Sequence, residues 1–142
     1  MSITSNGQSV ESFFGNVISA YTRAQAIEDG VLVEAGSMAS EAGFKWPIAL
    51  TSAVWADCVA WTDADSRKQV YQDESGRLRD VLFMAFQAIY LSKEAGDRLL
   101  FRFYRVPRDG YSTDAELTTL KLIVGPGDSG EPVITILLID ED

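Results

Sequence analysis

The residues that could do chemistry are few. The segment WPIALTSAVWADCVAW, from Trp46 to Trp61, holds all three tryptophans and the single cysteine, Cys58. A reactive thiol needs a nearby base or cation and some exposure. Cys58 instead falls on an apolar stripe with Leu50, Val54 and Trp61, and Asp57 beside it would raise a thiol pKa. The expectation is a small buried hydrophobe. Trp55 and Trp61, six residues apart, point in different directions on a helix, which puts one in the core and leaves the other partly exposed as an anchor for a partner.

The chain has no histidine. Cys-His and Ser-His-Asp catalysis within one chain are thereby excluded, as are zinc sites of the usual Cys and His type. The carboxylate pairs Asp63 with Asp65 and Asp73 with Glu74 lie on a polar connection. Neither has the spacing of a glycosidase pair or a divalent-cation loop, so they read as helix caps or solvated side chains. GPGDSG, from Gly125 to Gly130, lacks the lysine of a phosphate loop and joins two strand-like segments; it reads as a tight turn. No catalytic residue, metal ligand or cofactor-binding residue is assigned, and no cofactor is expected.

The basic group Arg98, Arg102, Arg105 and Arg108 is the local surprise. Arg98, Arg102 and Tyr104 share strand parity, and Lys121 falls on the same sheet face. Three readings stay open: pairing with the many acids, an anion or partner patch, and a histidine-free ribonuclease of toxin type.

Charge narrows the partner class. With a net charge of -9 and a pI near 4.4, the chain is a poor match to nucleic acid, where Lys and Arg must face phosphates. It suits a basic protein surface better, including that of a host defence complex that itself binds nucleic acid. The charge is uneven: net -6 over residues 1–65, +4 over 66–108 and -7 over 109–142. The acidic residues offered to such a partner are Asp63, Asp65, Asp73, Glu74, Asp128, Glu131, Asp140, Glu141 and Asp142.

These residues need elements to position them. At 142 residues and 46% hydrophobic, the chain suits one domain with its own core. One cysteine allows no intrachain disulfide, the start lacks a signal-peptide pattern, and no run is long and apolar enough to span a bilayer, so a cytoplasmic protein is expected. Residues 1–9 read as a flexible arm. Residues 10–95 read as mainly helical, with a short strand near 31–34, a helix from about Ala49 to Trp61, and a long helix from about Gly76 to Glu94. Residues 98–139 alternate as antiparallel strands; pairing Val124 with Ile134, Leu122 with Ile136 and Leu120 with Leu138 keeps one face apolar. The predicted fold is α+β: an N-terminal helical layer on a C-terminal antiparallel meander of three to four strands. Ile123 and Leu137 make the second sheet face apolar too, which points to a homodimer.

The phrases VISAYTRAQAIEDGVLVEA, WPIALTSAVWADCVAW, GRLRDVL and LTTLKLIVGPGDSGEPVITILL together resemble a family of small uncharacterised bacterial proteins carried on plasmids, phages and integrative elements. The resemblance covers roughly Phe13 to Leu138 and carries no site residue. It implies a role in transfer, maintenance or evasion of host defence. The expected function is therefore a non-enzymatic acidic interaction protein, such as an anti-restriction or anti-CRISPR inhibitor working by charge mimicry. The alternative is a small anion- or ligand-binding module using Arg98–Arg108.

Overall fold

The structure, a computed structural model, describes residues 21–93 and 96–141. The expected arm at 1–9 and most of the first expected helix lie outside them. Helix α1 (Arg23–Glu28) opens at Thr22 with a capping box, in which the Thr22 hydroxyl and the Gln25 side chain each accept from the other residue's backbone N–H. Strand β1 (Leu32–Glu34) and helix α2 (Ser37–Glu41) follow.

The segment from Ile48 departs from the expected helix. Ile48–Thr51 is a strand, β2, buried at all four positions. A continuous apolar run of this length cannot be told from a buried helical turn by periodicity, and the stripe on its C-terminal side hid the boundary. Thr51 ends the strand and caps α3 (Ser52–Val54), its hydroxyl accepting from Val54 N–H at 3.2 Å. The chain then widens into one π-helical turn, Trp55–Val59, closed by Ala60 N–H donating to Trp55 C=O at 2.7 Å. Helix α4 (Asp63–Lys68) and the long helix α5 (Glu74–Leu91) complete the helical part.

Strands β3 (Arg98–Arg105), β4 (Glu116–Pro126) and β5 (Pro132–Leu138) form the expected antiparallel meander, and β4 and β5 pair in the expected register, Leu120 with Leu138, Leu122 with Ile136 and Val124 with Ile134. The sheet does not stop there. Its order is β1-β2-β5-β4-β3, with β2 parallel to β5 and antiparallel to β1. The expected three- to four-stranded antiparallel sheet is thus a five-stranded mixed one. The difference arises at Ile48 and Leu50, which pair with Ile134 and Ile136 across more than 80 residues, a contact local patterning does not encode.

One face of the sheet carries Phe101, Phe103, Leu120, Leu122, Ile134 and Ile136. Against it α5 packs Leu78, Val81, Leu82 and Ala85, while Val54, Cys58 and Val59 fill the adjoining corner. On the other face, the Arg23 guanidinium of α1 donates to Thr135 Oγ1 and Ile134 C=O, both at 2.8 Å. Of the tryptophans, Trp61 is buried, Trp55 half-buried and Trp46 exposed.

Candidate interaction surface

Strand β3 forms one edge of the sheet and alternates strictly. Leu99, Phe101 and Phe103 point to the core. Arg98, Leu100, Arg102 and Tyr104 point away from it and are exposed, Leu100 by 63% and Tyr104 by 66%. Opposite them on β4 stand Ile123, Lys121, Thr119 and Leu117 in that order. Arg98, Arg102, Tyr104 and Lys121 therefore do share a face, interleaved with the apolar side chains of Leu100 and Leu117.

The four arginines divide by parity and position. Arg105 points to the core side, where its Nη2 donates to Asp57 Oδ2 at 3.0 Å and Oδ1 at 3.2 Å. Burial opposes its charge, but the Asp57 carboxylate outweighs that and raises its pKa. Its Nε is buried without a hydrogen-bond partner. Arg108 Nε donates to Asp65 Oδ2 at 2.8 Å. The side chains of Arg98 and Arg102 form no hydrogen bond or ion pair among the described residues. Lys121 Nζ donates to the Glu141 carbonyl. Structural pairing accounts for Arg105 and Arg108, and it leaves the outward pair available.

Most of the acidic candidates serve the chain's own backbone. Asp65 accepts from Thr62 N–H at 2.8 Å, Asp73 caps α5 at Gly76 N–H, and Asp128 caps α1 through Arg23 and Ala24 N–H. Glu131 accepts from Ser129 N–H within its turn, and Glu141 accepts from Leu138 N–H and the Thr51 hydroxyl. The backbone hydrogen bond from Thr62, with Arg108 nearby, holds Asp65 below the usual carboxylate range despite some desolvation. Asp63 and Glu74 lie exposed in the first turns of α4 and α5, and Asp140 is exposed after β5. Asp142 lies outside the described residues. The eight described acids are thus spread over separate turns and helix starts.

Cys58 is 1% exposed and its thiol is pushed up to about 12, first by burial and then by the Asp57 carboxylate, to which it donates at 3.4 Å. At neutral pH it is protonated and out of reach of reagents. Among the described residues no group of His, Cys, Asp and Glu is placed to hold a metal ion, and no helix is long and apolar enough to cross a membrane.

Sequence reasoning missed two parts of this region. Phe83 of α5 is 52% exposed and lies with Met84, Arg102, Tyr104 and Leu117 around a hollow beside the β3 edge; its place in a nearly all-apolar helix concealed its exposure. Arg77 is 4% exposed, and its guanidinium donates to the carbonyls of Val59 and Val106 and to Gln72 Oε1. A signal was present, since Arg77 precedes Val81 and Ala85 at four-residue steps on the buried face.

The architecture defines the class: an α+β protein in which α5 packs on one face of a five-stranded mixed sheet and β3, among the described residues, forms an unpaired edge. The chain belongs to a family of unknown function, DUF6573, which matches residues 10–142. No curated protein and no solved structure matches it.

Proposed function

We propose that the protein is a non-enzymatic binding protein that takes up an extended acidic segment of a partner protein along β3. The observation that carries this reading is the edge of an eight-residue strand, open among the described residues, on which the side chains of Arg98 and Arg102, without a partner among those residues, alternate with exposed Leu100 and Tyr104. An added strand gains main-chain hydrogen bonds from such an edge, and its alternate side chains meet the exposed row. Acidic side chains at every second position of that strand meet the outward row that holds Arg98 and Arg102, and the apolar ones between them fall on the core side. Two copies of β3 laid edge to edge would bring basic strands together, which favours a different, acidic partner over self-pairing.

The test uses a fluorescein-labelled peptide of alternating glutamate and valine, with a lysine-valine peptide as control. The expected result is saturable binding of the acidic peptide alone, weakened about tenfold or more in Arg98→Glu/Arg102→Glu, with new protection of β3 amides against hydrogen exchange. No saturable binding, equal binding of both peptides, or cleavage of ribosome-associated RNA that is lost in Tyr104→Phe overturns it.

A second reading is favoured by the net charge of -9: Asp63, Glu74 and Asp140 contact a basic nucleic-acid groove of a host defence complex, in keeping with a mobile-element, anti-restriction or anti-CRISPR role in the cytoplasm. Such binding falls steeply with salt and is lost in Asp63→Lys/Glu74→Lys. The first reading predicts no effect of that pair.

A further inference from the structure

The loop after α2, the C-terminal half of α5 and the open end of the meander line an open cavity of about 450 Å³. Its floor is core: Leu122 and Ile134 are each 2% exposed, and Val124 lies between them in the sheet. Its wall is aromatic. Phe44 and Phe86 meet edge to face with centroids 5.5 Å apart, and Gly43 stands so close that a Cβ there would lie 2.9 Å from Phe86 Cε1. The absence of a side chain at Gly43 thus lets the loop close against the Phe86 ring, and the two rings brace each other. A concave, mostly apolar opening of this size that reaches core side chains has the form of a ligand pocket.

The rim names the chemistry. Among the described residues Lys45 and Arg98 border the mouth with one acid, Asp97, and the Trp46 indole, 46% exposed, stands beside them. An apolar body fits the floor, and one anionic head fits the basic rim. We propose that this cavity binds a small amphipathic carboxylate, with its hydrocarbon over Leu122, Val124 and Ile134 and its carboxylate at Lys45 on the rim. The two sites share Arg98 on their border, but Lys45 and the floor lie outside the β3 surface, and Arg102 lies outside this cavity.

Decanoate is the probe, decan-1-ol its neutral counterpart, and Trp46 fluorescence and calorimetry the readouts. The full chain should bind decanoate saturably at micromolar to low millimolar concentration, at one site per chain, with a change in emission that disappears in Trp46→Phe. Lys45→Ala should weaken decanoate at least tenfold and leave decan-1-ol unchanged. Ile89→Trp, which fills the cavity from its rim, should abolish both while the melting temperature holds, and Arg102→Glu should affect neither. No saturable decanoate binding, undiminished binding in Ile89→Trp, or equal loss of acid and alcohol in Lys45→Ala overturns the proposal.

Discussion

The Arg77 guanidinium lies 4.5 Å from the centroid of the Trp61 ring, and the two are joined a second way. Trp61 Nε1 donates to Ser66 Oγ at 3.0 Å, Ser66 donates to the Gln72 carbonyl at 3.0 Å, and Gln72 Oε1 accepts from Arg77 at 2.6 Å. This closed circuit ties the residues after the π-helical turn to the start of α5. Through the Val106 carbonyl it also reaches the end of β3.

Removing the cation leaves several buried acceptors unpaired. Arg77→Ala should cost about 3 kcal/mol or more, and Arg77→Lys most of that, since an ammonium cannot reproduce the fork. Chemical denaturation of both variants measures it. A loss within about 0.5 kcal/mol, the range of an ordinary surface change, would refute the role assigned to the circuit.

Cys58 offers a probe of the same corner. With its pKa near 12, roughly one molecule in 10⁵ carries a thiolate at pH 7. Reaction with an aromatic disulfide should be negligible in the native protein and should follow global unfolding as denaturant rises. Rapid native labelling would show the π-helical turn to open locally.

Two carboxylates should give opposite pH signatures. Asp65 is held below its ordinary value of 3.8, chiefly by the Thr62 backbone hydrogen bond, so its contribution is present above that value and lost as pH falls through its lower folded pKa. Asp65→Asn should therefore be less stable than the parent at pH 7 and equal to it in strong acid. Partial desolvation raises Asp80 despite Arg79 and Arg77, so folding is penalised as pH rises from 3.8 through its folded pKa. Asp80→Asn should be the more stable protein at pH 7, with the gap closing as pH drops below 3.8. Melting temperatures across this range decide both signs.

Gly43 and Gly30 separate backbone strain from collision. Both have positive φ, 110° and 79°, but a Cβ at Gly30 meets open space whereas one at Gly43 meets Phe86. Gly30→Ala should cost about 1 kcal/mol. Gly43→Ala should cost roughly 1–2 kcal/mol beyond that, as the Phe86 ring is displaced. Equal costs would mean that Phe86 yields freely and that the cavity wall is soft.

What could be read from the chain beforehand followed the range of the interactions. The β4–β5 register was legible because alternation and the Gly-Pro turn are local, and a slip of one residue would have put Thr135 on the core face. The burial of Cys58 was legible from its stripe. Strand β2 was not, because Ile48–Thr51 gains its identity only from β5. The pairing of Arg105 with Asp57 and of Arg108 with Asp65 spans more than 40 residues, so charge counting could suggest that pairs exist without naming them. The cavity draws its lining from segments before, within and after α5, and no window of sequence contains it.

Strand β5 is made after every other described strand, yet it sits third of five across the sheet. Strands β1 and β2 form one antiparallel pair and β3 and β4 another, and β5 hydrogen-bonds to both. A chain cut before Pro132 would therefore retain two separate pairs of its described strands, each with an unfinished edge, and no continuous sheet.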